Sequence, residues 1–312
     1  MTSNAAIAGI PLVLGGNVFG WTADQDTSFA ILDAFHAAGG RMIDTADVYS
    51  AWVPGHKGGE SETVIGAWLA SRGVRKEMRI HTKTGMLAPG GGDPALFAPE
   101  RIADSLAKSL DRLQTDYLDL YYAHRDYEEL PAADIVAAFG SATADKVNSL
   151  GASNFSAARL GEALVAAKAA SSMPFTALQN EYNLVSREKY GADLQALCVT
   201  NGLAMFPFYG IANGFLTGKY RTEADFGKSV RGGRMKELIV SGAPMLAAMD
   251  AIAADTGASL AQIALAWLAV QPGIGAPIAS ATSVAQVNDL CGMASLKLTP
   301  EQLNSLDNAG PQ

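Results

Sequence analysis

Cysteine is nearly missing from this sequence: only Cys198 and Cys291 occur in 312 residues, far apart and without a C-x-x-C spacing. That excludes a disulfide framework and a cysteine-rich zinc or iron–sulfur site, and it fits a reducing compartment. Histidine is also scarce, and no pair among the four has metal-ligand spacing, so no metal is expected. Positive charge is in deficit, with 23 Lys plus Arg against 31 Asp plus Glu. The resulting net charge of −8 argues against nucleic acid as a partner. No apolar run approaches the roughly eighteen residues of a membrane span, and "MTSNAAIAGIPLVLGG" lacks the charged and long apolar regions of a signal peptide. A cytoplasmic chain with no membrane partner is the expectation.

What is present suffices for a large core, since 49% of the residues are hydrophobic and 17% charged. Eight short apolar runs recur, with stretches of helical period between them. They are "PLVLGG" from Pro11, "RMIDTA" from Arg41, "RIHTK" from Arg79, "DYLDLYYAH" from Asp116, "VNSLGASN" from Val147, "TALQNEY" from Thr176, "LAMFPFY" from Leu203 and "GAPIASA" from Gly275. Between them, Ile31, Leu32, Phe35 and Ala38 fall on one helical face, and Ile102, Leu106, Leu110 and Leu113 on another. Strands apolar on both faces, none resembling an exposed edge, predict an α/β chain forming one closed (β/α)8 TIM barrel over residues 1–312. "AAIAGI" is expected to plug one end. The longest gap, between the seventh and eighth strands, holds "GFLTGKYRTEADFGKSVRGGRMKE" and is expected to cover a cofactor or substrate.

Polar residues close consecutive strands: Asp44 the second, Lys83 the third, His124 the fourth, Ser153 and Asn154 the fifth, and Gln179 the sixth. On a barrel these ends converge on one cavity. Tyr49, on the loop after Asp44, can lean back over Lys83. An ammonium beside a phenol would lower its pKa, a carboxylate would keep that ammonium charged, and His124 could donate to a substrate oxygen. Taken singly, each residue reads as a packing, capping or solvated side chain; their joint occurrence at successive strand ends points to a proton donor for a carbonyl. Trp21, Trp52, Val53, Met86, Leu87 and Tyr127, with Tyr49 and His124 at the base, are expected to wall an apolar substrate pocket suited to a bulky or cyclic substrate. Gly55, Gly58 and Gly59 are expected to make the loop carrying Trp52 pliable.

The motifs "GGNVFGW", "MIDTADVYS", "GGESETVIGAWL", "HTKTG", "SLDRLQTDYLDLYYAHRD", "LGASNF", "LQNEYNLVSRE" and "GFLTGKY" together resemble the aldo-keto reductase family. The resemblance implies a (β/α)8 barrel with NAD(P)(H) across its C-terminal face and a catalytic tetrad of Asp44, Tyr49, Lys83 and His124. It implies hydride transfer between the nicotinamide and a carbonyl or alcohol carbon, with Tyr49 as general acid or base and a small-molecule aldehyde, ketone or alcohol as substrate. The carboxamide end would be held by Ser153, Asn154 and Gln179, with Asp44 also in contact, and the backbone of Gly20, Trp21 and Thr22 would touch the cofactor.

Two departures bear on that implied site. "FYGIA" stands where the family usually has "YSPLA", so Phe208 takes the stacking position, followed by Tyr209, Gly210 and Ile211. The pyrophosphate would meet the next stretch at Gly214, Leu216 and Lys219. In "IASATSVAQVNDL", Ser280 and Gln286 stand where many relatives carry cations for a 2′-phosphate, with Thr282 between them as a further cofactor contact, leaving Lys228, Arg231 or Arg234 to compensate. NADP(H) is favoured and NAD(H) remains an alternative. Because the family includes nucleotide-binding partners of other proteins, a non-catalytic nucleotide-sensing regulatory subunit is the rival reading. A Schiff-base lyase using Lys83 is a weaker one.

Overall fold

The computed structural model describes residues 6–88, 90–143, 145–228 and 232–310. Strand and helix alternate through β1 (Val13–Gly15), α1 (Gln25–Ala37), β2 (Met42–Asp44), α2 (Glu60–Arg72), β3 (Arg79–Thr84), α3 (Pro99–Leu113), β4 (Leu120–Ala123) and α4 (Ala132–Ala142). They continue through β5 (Leu150–Ser153), α5 (Ala157–Ala170), β6 (Phe175–Gln179), α6 (Ala192–Asn201) and β7 (Ala204–Met205). Three helices, α7 (Lys236–Ser241), α8 (Ala243–Thr256) and α9 (Leu260–Ala269), intervene before β8 (Ile278–Ala279), and α10 (Val284–Cys291) and α11 (Pro300–Ala309) follow. Each expected apolar run overlaps one strand.

All eight strands are parallel, in the order β7-β6-β5-β4-β3-β2-β1-β8. The ring closes through Met205, whose N–H donates to Gly273 O at 2.9 Å and whose carbonyl accepts from Gly275 N at 2.8 Å. Ile278 N adds a bond to Pro207 O at 2.9 Å. Closure pairs the row of backbone groups that an open sheet would leave exposed. The result is the (β/α)8 barrel.

Alternation along each strand sorts the apolar residues into two layers. Val13, Met42, Leu120, Tyr122, Ala177, Phe206 and Ile278 fill the barrel, while Leu14, Ile43, Ile80, Tyr121 and Leu178 pack outward against the helices. Ala6 lies in the inner layer, and its carbonyl is 2.9 Å from His81 Nε2, which stops that end of the barrel. Ile31, Leu32 and Phe35 of α1 are fully buried, but Ala38 falls at the C-cap and is exposed, because the helix ends there before Gly39 at φ 88°. Helix α9 is apolar on nearly every side and sits buried. Its start is written in the sequence as a capping box, Ser259 with Gln262. Among the described residues no single helix is long and apolar enough to cross a membrane.

Candidate active site

Parallel pairing places Asp44 opposite His81, so Lys83 projects two residues further along β3 on the same face. Lys83 is fully buried, and its Nζ donates to Asp44 Oδ2 at 2.6 Å, to Thr45 O at 2.8 Å and to Tyr49 OH at 3.3 Å. These three acceptors use the three N–H bonds of an ammonium. The second oxygen of Asp44 accepts from Gln179 Nε2 at 2.8 Å, across the barrel from β6. Tyr49 reaches Lys83 because the chain turns immediately after β2: Asp47 N donates to Lys83 O at 3.1 Å and Tyr49 N to Ala46 O at 3.1 Å. His124 directly follows β4 and meets the Tyr49 ring edge-on at 6.0 Å.

Burial and charge oppose each other at each group. Burial pushes Lys83 down, but Asp44, Tyr49 and their hydrogen bonds outweigh it, so its pKa lies above the ordinary lysine value. Burial raises the Tyr49 phenol, and Lys83 offsets only part of that rise. Lys83 does pull the phenol down, as its place beside Tyr49 implies, but the net direction is upward, because desolvation of a phenolate inside the barrel exceeds the attraction. Burial, followed by the charges of Lys83 and Arg125, holds His124 well below the ordinary histidine value. At neutral pH the site therefore presents a neutral imidazole, a protonated phenol and a charged ammonium.

Sequence reasoning missed Asp47. Burial pushes its carboxyl up to about 7, against the hydrogen bond from Thr84 Oγ1 at 2.6 Å. Its Oδ1 is buried without a partner. A folded-state pKa raised above the ordinary aspartate value means folding takes up a proton, so the stabilising contribution is complete below about pH 4 and lost as pH climbs to about 7. Asp47→Asn keeps an acceptor for Thr84 and removes the titration. The difference in Tm, variant minus wild type, is expected to grow by roughly 5–8 °C between pH 4.5 and 8. Thermal denaturation at both pH values measures it, and a pH-independent difference would contradict the assignment.

The loop after Tyr49 is pinned rather than pliable. The Glu60 carboxylate accepts from the backbone N–H of Ser50 at 3.1 Å, Lys57 at 2.8 Å and Gly58 at 3.0 Å. Gly58 and Gly59 have φ of 94° and 89°, and a Cβ at Gly58 would lie 2.7 Å from Asp47 O. The glycines are there because a tight turn admits nothing larger. The loop carries Trp52 into edge-on contact with Tyr49 at 5.5 Å and with Trp21 at 5.6 Å.

Above the four polar residues lies a cavity of about 620 Å³. Asp44, Tyr49 and His124 reach its wall, and Lys83 sits beneath them. Trp21, Trp52, Met86 and Leu87 form its apolar side; Val53 and Tyr127 do not line it. Ser153, Asn154 and Gln179 line one part, and Phe208, Tyr209, Gly210, Ile211 and Ser280 another. Gly20, Thr22, Gly214, Leu216, Lys219, Thr282 and Gln286 are not on the wall, and Arg231 lies outside the described residues. Gly15, Asn17, Val48, Ala88, Gly90, Asn213, Ile278 and Ala279 line it without having been expected. Gly15, Ile278 and Ala279 belong to strands and Asn17 follows one, so the rule that barrel sites form at strand C-termini would have found them.

The residues present fit a nicotinamide nucleotide. Asn213 Oδ1 is buried without a partner on the cavity wall, an acceptor awaiting a donor. Tyr209, Ala212, Asn213 and Gly214 all have positive φ, and a Cβ on Gly214 would meet Lys219 Nζ at 2.9 Å, so the ammonium covers this turn. A cation over a left-handed turn suits a diphosphate. Towards β8, Gln286 Oε1 accepts from Thr282 N at 2.8 Å, and Ser280 Oγ donates to Asn17 Oδ1 at 2.7 Å. Lys228 is engaged by Asp225 at 2.7 Å and by the Lys219 carbonyl.

The sequence profile of the aldo/keto reductase family matches residues 11–310. An uncharacterized oxidoreductase of Bacillus subtilis (strain 168) is 30% identical over 309 residues, spanning 96% of this chain and 92% of its own. An aryl-alcohol dehydrogenase [NADP(+)] of Phanerodontia chrysosporium is 27% identical across 93% of this chain and 77% of its own. A probable voltage-gated potassium channel subunit beta of Oryza sativa subsp. japonica is 29% identical across 93% and 89%.

Proposed function

The chain belongs to the aldo/keto reductase family, and from that membership we propose that it is an NADP(H)-dependent oxidoreductase interconverting a carbonyl compound and an alcohol. The observation that carries the reading is the buried chain from Asp44 through Lys83 to Tyr49, opening on a cavity whose other wall is aromatic. When bound, the nicotinamide supplies or accepts the hydride. Tyr49 holds the proton at its hydroxyl and gives it to the carbonyl oxygen as negative charge develops there. Lys83 stabilises the phenolate left behind, and Asp44 keeps Lys83 charged. His124, neutral, orients the carbonyl by hydrogen bonding. Trp21 and Trp52 exclude water and favour a bulky, uncharged substrate. The free thiols of Cys198 and Cys291 suit the cytoplasm, where we place the protein.

Ser153, Asn154 and Gln179 would hold the carboxamide, Phe208 would face the ring, and the turn at Asn213 with Lys219 would take the diphosphate. NADP(H) is our choice over NAD(H), supported by the name of the Phanerodontia relative. Trp21 and Trp52 on the cavity wall provide a fluorescence signal. Titration is expected to give an NADPH Kd about tenfold or more below that of NADH, the effect of one charge-assisted contact to the 2′-phosphate. A panel of aldehydes, ketones and secondary alcohols then reports direction. Absence of saturable binding by either nucleotide would end the proposal, while binding without turnover would favour the non-catalytic subunit reading, the rice relative being named a probable channel subunit beta.

A further inference from the structure

Tyr127 stands three residues after His124 but turns away from the cavity, and it is almost fully buried. Its hydroxyl donates to Gly85 O at 2.6 Å and accepts from Asp93 N at 3.0 Å. Gly85 and Asp93 flank the loop whose Met86, Leu87, Ala88 and Gly90 line the apolar side of the cavity. One phenol thus ties both ends of a substrate-facing loop. The ring has little freedom: Phe97 meets it edge-on at 4.8 Å, and the Arg125 guanidinium lies over it at 5.2 Å. Arg125 Nη1 also contacts Gly90 O at 3.4 Å, which joins the loop's far side to the same ring. The packing leaves no slack, since a Cβ on Gly92 would lie 2.8 Å from the Tyr127 hydroxyl and 2.7 Å from Arg125 Nη1.

We infer that Tyr127 is a positioning residue that fixes the Met86 and Leu87 wall and thereby sets which substrates fit. The inference rests on the proposed carbonyl chemistry of the same cavity. Removing the hydroxyl frees a carbonyl at one end of the loop and an N–H at the other, while Lys83, Tyr49 and the nucleotide-facing residues keep their contacts. A large substrate depends on that wall along its length; a small one held at Tyr49 and His124 does not.

The test compares full-length wild type with Tyr127→Phe at saturating NADPH, using propanal as the small substrate and 2-naphthaldehyde as the large flat one. The KM for 2-naphthaldehyde is expected to rise about fivefold or more, with both kcat values, the KM for propanal and the NADPH Kd within about twofold. In hydrogen exchange, the Asp93 amide should lose protection in the variant. Gly92→Ala, which crowds the same ring from the loop side, should give the same selective rise in KM. Equal changes for both aldehydes, no change for either, or undiminished protection at Asp93 would overturn the inference. If the wild type reduces neither aldehyde, the carbonyl reading fails, and Asp93 exchange alone decides whether the clasp exists.

Discussion

Tyr49→Phe is expected to lower kcat by about 10³-fold in carbonyl reduction while leaving the nucleotide Kd within about twofold. The ring is needed for packing, because it contacts Trp52 and His124 edge-on, and phenylalanine preserves those contacts. Only the hydroxyl is lost, and with it the one proton donor that is both on the cavity wall and bonded to Lys83. Neither catalytic neighbour replaces it: the His124 imidazole is held neutral, and Lys83 spends its three N–H bonds on Asp44, Thr45 and Tyr49. Because burial raises the phenol, the acid form persists through neutral pH. Alcohol oxidation, which needs the phenolate as base, should instead gain rate as pH rises. Steady-state kinetics beside a fluorescence titration checks both parts, and unchanged turnover would remove Tyr49 from the role of acid.

Lys83→Met should affect fold and chemistry together. The Lys83 and Asp44 charges are both buried and 2.6 Å apart. Removing one leaves the other uncompensated, which costs about 3–5 kcal/mol. Gln179 still donates to Asp44 Oδ1, which keeps the loss towards the lower end. Adding Asp44→Asn removes the orphaned charge, so the double variant should recover most of the stability and none of the turnover. Urea denaturation and activity assays on wild type, single and double variants give the comparison. Stability lost in full by the double variant would mean that the pair contributes shape rather than charge.

The barrel was legible because burial on both faces leaves continuous apolar runs, and eight of these with helical period between them admit few architectures. Asp44, Lys83 and His124 were legible for the same reason: a polar residue ending an apolar strand has nowhere to point except the C-terminal mouth. Tyr49 was legible as a side chain able to lean back over Lys83, but the turn that brings it there depends on backbone bonds to Lys83 O and Ala46 O that no spacing rule announces. Asp47 and Glu60 look like ordinary solvated carboxylates in the sequence. Their parts emerge only when folding brings Thr84 to Asp47 and turns the N–H groups of Ser50, Lys57 and Gly58 onto Glu60. Tyr127 was expected on the pocket wall, but the chain bends after His124 and the phenol faces the back of the loop instead.

Holding the Trp52 loop by a single carboxylate also has a thermodynamic side. Ordering a backbone costs about 1–2 kcal/mol per residue, and the Glu60 bonds offset part of that cost during folding, before any ligand arrives. An arriving molecule then finds the indole already in place against Tyr49 and Trp21. Discrimination at this wall becomes a comparison of outlines, made at the moment of encounter.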